Sequence, residues 1–178
     1  MKQFAGIIIA LLAPFAMAAQ VKPAKRVAKP VVKPATAAPQ LKTFSNGIKI
    51  KSKGLVVSDA KLYFDDQSSV PADNLVEVNQ RVNMLLTIEK GWSEIDGKVY
   101  PGGSEVIKLN TGGVILQSED LFKAYDKTGV SPVDAQYITL KAVITEMSDK
   151  KKYVVVTFRV WDKKSTAEIT GSYKLFIK

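Results

Sequence analysis

Arg159 and Trp161 stand two residues apart in a run, Tyr153 to Trp161, whose side chains alternate in character. An extended backbone therefore projects both to the same side. A guanidinium beside an indole makes a stacking or anion-binding patch, with Tyr137, Thr139 and Lys141, or Ser172 and Lys174, as cross-strand neighbours. The same pair is also how an exposed sheet face covers a tryptophan with an alkyl stem. A second group joins Trp92 and Tyr100 to Glu89, Glu94 and Asp96. Aromatic rings beside acids suit sugar stacking, and two carboxyls roughly 5–10 Å apart could cleave a glycosidic bond. The plainer reading is a solvated loop with Trp92 folded over a sheet edge. A third group, Asp65, Asp66 and Asp73 with Asn74 and the upstream Asp59, offers the oxygen ligands calcium takes. It lacks the Asp-x-Asp-x-Asp-Gly spacing, and acids that keep a strand end soluble explain it better.

The absent residue types narrow the chemistry further. The chain has no histidine and no cysteine. A Ser-His-Asp triad, histidine or thiolate zinc sites and thiol nucleophiles are therefore excluded. No glycine-rich phosphate loop is present. Ser148-Asp149-Lys150-Lys151 and Lys127-Thr128-Gly129 match two fragments of penicillin-binding proteins. The triplet precedes the nucleophile, however, and the Ser-x-x-Lys falls in a turn between strands. The expectation is a protein that is not an enzyme and carries no cofactor.

These residues sit on elements written mostly in period two. Ile48 to Lys51, Lys61 to Phe64, and Val82 to Glu89 alternate, the last with Val82, Met84, Leu86 and Ile88 on one face. Asp96-Gly97 inside Glu94–Tyr100 predicts a hairpin tip with both residues at positive φ. Turns at Pro101 to Ser104 and Thr111 to Gly113 frame Val106–Leu109 and Val114–Leu116. Gln136–Met147, Tyr153–Trp161 and a last strand ending at Lys178 complete the set, with Val154, Val156, Phe158 and Val160 as one apolar face. One short helix is predicted from a Ser118 cap through Leu121, Phe122 and Tyr125 to Gly129, followed by a tight turn at Ser131-Pro132-Val133-Asp134. The fold class expected is all-β: an antiparallel two-layer sandwich, Ig-like or C2-like, of about seven to nine strands.

Ahead of this domain, residues 1–19 read as a signal peptide: Lys2, an apolar run Phe4–Ala16, and a small-x-small site at Ala16-Met17-Ala18. The run is too short for a comfortable membrane span, so no stable transmembrane segment is expected after processing. No cysteine follows the site, which closes the lipoprotein route. Residues 20–42 form a basic spacer with Pro23, Pro30, Pro34 and Pro39, extended by proline and by charge repulsion. Lys22, Lys25, Arg26, Lys29 and Lys33 give it a possible hold on an anionic surface. The net charge of +9 falls to +2 over 43–178, so a basic domain face for nucleic acid is not expected.

The spacer resembles the Lys-Pro-Ala spacers of proteins that cross the periplasm. Glu94–Gly103, Ser118–Gln136 and Phe158 to Lys164 are similar to uncharacterised exported β-sandwich proteins of Gram-negative bacteria. That resemblance implies an envelope location, periplasmic or extracellular, and no activity. The leading expectation is an exported, non-catalytic binding module that presents a sheet face or end loops to an envelope protein or glycan. A carbohydrate-active enzyme using paired carboxylates, and a structural envelope protein held by its basic tail, are the alternatives.

Overall fold

A computed structural model of the chain describes residues 40–145 and 153–178. The predicted leader, nearly all of the spacer with its five tethering cations, and the Ser148 to Lys151 turn lie outside these residues.

Ten strands are present: β1 (Gln40–Thr43), β2 (Lys49–Lys53), β3 (Val56–Phe64), β4 (Leu75–Val76), β5 (Arg81–Lys90), β6 (Pro101–Leu109), β7 (Val114–Ser118), β8 (Tyr137–Val143), β9 (Tyr153–Asp162) and β10 (Glu168–Ile177). One sheet runs β1-β2-β10-β9-β6-β7, with β4 added parallel to the end of β10, and the other runs β3-β5-β8. This is the expected all-β class. The two sheets share one core because alternation puts an apolar row on one face of each strand. β5 buries Val82, Met84, Leu86 and Ile88, and β9 buries Val154, Val156, Phe158 and Val160. Each such side chain contributes on the order of 1.5–3 kcal/mol by leaving water. Phe158 lies across Gly171 of the neighbouring strand, where any Cβ would collide with its ring and come within 2.7 Å of the Lys49 carbonyl.

The sheets are unequal in width, seven strands against three, and the chain at Asp120–Phe122 lies against β6 at Gly103 while the turn at Asp134–Gln136 packs on β5 and β8. The helix predicted here does not form. The segment instead makes single 3-10 turns at Lys123–Tyr125 and Asp134–Gln136. Asp120 Oδ1 accepts from the backbone N–H of both Gly103 and Phe122, and the Leu121 N–H donates to the Gly103 carbonyl. These bonds tie the would-be first helical turn to β6. Phe122 then packs over Gly103, 2.5 Å from where a Cβ would stand. Lys163 pins the strap from the outside by pairing with Asp120 and Asp126. Burial favours neutral forms for Asp120 and Lys163, but it is outweighed, for Asp120 by Lys163 and the Phe122 and Gly103 N–H groups, and for Lys163 by Asp120 and Asp126, so the Asp120 pKa is lowered and that of Lys163 raised.

Two further details depart from the sequence reading. Residues 40–42, assigned to the spacer, pair with 50–52 of β2, and Lys42 Nζ donates to the Val57 carbonyl. Glu94–Tyr100 makes one bridge, Ile95 to Lys98, but its tip is as expected, with Asp96 at φ 50° and Gly97 at φ 72°.

β10 shares one flank between β2, which pairs with Glu168–Ser172, and β4, which pairs with Phe176–Ile177. The interval is closed by two side chains. Asn74 Nδ2 donates to the carbonyls of Asn46 and Lys174, each at 2.8 Å, and Asn46 Nδ2 donates to Asn74 Oδ1 at 2.7 Å and to the Pro71 carbonyl at 2.8 Å. Both residues hold left-handed backbone, φ 56° and 59°, which asparagine tolerates better than most residues. Asn74→Ala should therefore destabilise the domain by roughly 2–3 kcal/mol, from unpaired carbonyls plus backbone strain. Urea unfolding would measure this, and a loss below about 0.5 kcal/mol would mean the clasp is dispensable.

Candidate functional site

Strand register assembles a surface that summed charge concealed. On the outer side of the seven-stranded sheet, Lys49, Lys51 and Lys53 of β2 stand opposite Ser172, Thr170 and Glu168 of β10. These in turn face Thr157, Arg159 and Trp161 of β9, and those face Val106, Ser104 and Gly102 of β6. One row further along, Lys174, Val155 and Lys108 lie abreast. Six cations thus share this face of β2, β10, β9 and β6 with one carboxylate, Glu168. The three-stranded sheet is more mixed: it exposes Lys61, Arg81, Lys90 and Lys141 together with Asp59 and Glu89. From a domain at +2 the sequence reading expected no basic face for nucleic acid, and a sum over the domain does not show how the cations are placed. The average hid a segregation, whose signal was the Lys-Ile-Lys-Ser-Lys alternation of β2.

Arg159 and Trp161 meet as expected, with the guanidinium 4.8 Å from the ring centroid. The indole also packs on Gly102, and Arg159 pairs with Glu168 at 2.8 Å. Trp92 turns inward, packs on the core and donates Nε1–H to the Ala135 carbonyl at 3.1 Å. Tyr100 lies under the Lys164 ammonium, 4.4 Å from its centroid. The structure does not gather Trp92 and Tyr100 into one aromatic platform with Trp161. Glu89, Glu94 and Asp96 are all exposed.

The calcium candidates are engaged separately. Asp65 pairs with Arg81 and accepts from Asn83, Asp66 accepts from Ser68, and Asp73 caps the Leu75 N–H. The Ser68 bonds hold the Asp66 carboxyl below its usual range. Among the described residues no three acidic side chains converge as metal ligands would.

A cleft of about 470 Å³ opens in the basic face beside the asparagine clasp. Lys49, Asp73, Ser172 and Lys174 supply its polar groups, and Val155 and Phe176 its apolar surface. Lys174 Nζ sits 4.4 Å from the Tyr153 centroid, so the ammonium is steered rather than free to swing. The cleft was not foreseen, because residues from three distant stretches meet there only through β10.

No protein-family model matches the chain, and no curated protein matches it. Among solved structures it is similar to the C-terminal domain of wzt, at 12% identity and a TM-score of 0.48 over 82% of this chain and 80% of that one.

Inside the sandwich, Glu105 of β6 is 1% exposed, and its Oε1 has no hydrogen-bond partner; the buried Tyr173 hydroxyl also lacks one. Burial pushes the Glu105 carboxyl up to about 7. Tyr173 is raised too, by burial and then by the Glu105 charge. An acid poised near neutrality could serve as a general acid. At this depth, however, no substrate reaches it, so its effect falls on stability. The folded form keeps the proton longer than the unfolded chain, so stability is fully present below about pH 4.5. It falls as pH rises towards 7, by about 3 kcal/mol in all. Asp66, Glu77 and Asp120 are shifted downward and respond at lower pH, and there is no histidine. Between roughly pH 5 and 8, wild-type stability should therefore decline while Glu105→Gln stays flat. Parallel slopes in the two proteins would refute the assignment.

Proposed function

We propose that the protein is an exported, non-catalytic binding module of the cell envelope, and that its partner docks on the outer face of the seven-stranded sheet. The observation that carries this is the segregation of charge: Lys49, Lys51, Lys53, Lys108, Arg159 and Lys174 against Glu168 on the outer faces of β2, β10, β9 and β6, with Asp73 at the margin. Like charges on neighbouring strands repel and contribute nothing to folding, so their concentration on one face favours a negatively charged partner. The interleaved Ser104, Thr157, Thr170 and Ser172 hydroxyls add short-range hydrogen-bonding capacity suited to a polar ligand.

A non-catalytic role accords with the residue inventory, since histidine and cysteine are absent and the one carboxyl raised to about 7 is enclosed. Export accords with the leader-like start of the chain. Among the described residues, no helix is long and apolar enough to cross a membrane.

Retention of the fluorescently labelled protein on washed Gram-negative envelopes tests the reading. Lys51→Glu with Arg159→Glu should weaken retention about tenfold or more, and added salt should weaken it for wild type. The control, Lys61→Glu with Lys141→Glu on the opposite sheet, makes the same change in net charge and should stay within about twofold. Equal losses in both double variants would mean that bulk charge, not this face, governs binding.

A further inference from the structure

The cleft on this face has features that a flat array of lysines lacks. At about 470 Å³ it lies within the roughly 300–1,000 Å³ range of small-molecule sites. Lys49 and Lys174 bring two positive charges to it and Asp73 one negative, leaving an excess of a single positive charge. Asp73 Oδ1 is committed to the Leu75 N–H, so its other oxygen is left to accept from a ligand hydroxyl. Ser172 contributes a hydroxyl of its own, and Phe176, 41% exposed, lies beside Val155 as an apolar surface. The Asn46–Asn74 clasp joins two stretches of the cleft wall, so the backbone that carries Asp73 is set before any ligand arrives.

We propose that this cleft binds one carboxylate-bearing sugar unit of an acidic polysaccharide, an assignment that rests on the outer face being the binding surface. Lys49 and Lys174 hold the carboxylate, Asp73 and Ser172 take ring hydroxyls, and Phe176 with Val155 meets the C–H face of the ring. A single negative charge matches the excess charge of the cleft, whereas a doubly charged phosphate would crowd Asp73. Sugar rings also pair an apolar face with an equatorial belt of hydroxyls, which is the mixture lining the cleft. Lys51 and Arg159 lie alongside, where adjoining acidic units of a polymer would pass. A bilayer surface fits less well. Trp161 and Tyr153, the rings that would seat at a lipid interface, are each covered by a cation, Arg159 and Lys174.

Calorimetric titration of the purified protein with trigalacturonate and with its fully methyl-esterified, uncharged form tests this. The acid form should bind about tenfold or more tightly than the ester, and Lys49→Ala with Lys174→Ala should reduce its affinity about tenfold. Ser172→Ala should weaken both forms by a smaller factor, which a purely coulombic surface would not show. Unchanged melting temperatures would establish that the variants fold. Equal affinity for acid and ester, or acid binding indifferent to the lysine pair, would overturn the assignment. If trigalacturonate does not bind while envelope retention still falls with Lys51→Glu and Arg159→Glu, the cleft assignment fails and the binding face stands. If retention is also unaffected, both fail. Binding to phosphatidylglycerol vesicles that the lysine pair abolishes, without saccharide binding, would overturn the sugar in favour of lipid.

Discussion

The mismatch in width between the two sheets governs this molecule. Three strands cannot cover the inner side of seven, and the apolar rows left over must still be kept from water. The chain meets that demand with an irregular strap, because a helix laid against β6 would have to release the Gly103 and Leu121 backbone bonds that bring the strap down. Phe122 is the apolar weight of the strap and Gly103 the depression it fills. Lys163 supplies the outer fastening through Asp120 and Asp126. Glu105 lies in the same strand two residues further on, enclosed with an unpaired oxygen. A buried carboxyl with an unpartnered oxygen therefore belongs to the strand on which the irregular strap packs.

The strands were legible where burial is one-sided. In β5 and β9 every second residue is apolar, and period two alone names both the element and the face. β4 left no such trace, because two residues cannot show a period and its pairing depends on where β10 ends. The predicted helix failed for a different reason. Leu121, Phe122 and Tyr125 satisfy helical spacing equally well when only Phe122 packs inward. A carboxylate reaching across to Gly103, 17 residues earlier, decides between the two. That bond is tertiary and leaves no local signature.

The candidate site was legible in parts but not as a place. Arg159 beside Trp161 follows from their spacing, and the structure adds that Gly102 underlies the indole and Glu168 pairs with the guanidinium. The β2 lysines alternate visibly in the sequence, yet their meaning depends on β10 lying next to them with Lys174 and few acids. Summing charge over the domain erased that meaning, because the balancing carboxylates lie on the other sheet and in the loops. A sandwich has two outsides, and an average over both describes neither.

Asn46 is followed directly by Gly47. That dipeptide is the one in which the side-chain amide is most readily lost, by ring closure onto the next backbone nitrogen. Here the amide nitrogen is held by the Val70 and Pro71 carbonyls and by Asn74 Oδ1, which restrains the rotation that ring closure needs. The clasp that seals the flank of β10 thus also guards its own weakest bond. Should it ever hydrolyse, the new carboxylate would confront three oxygens, and the seam would age open without a route back.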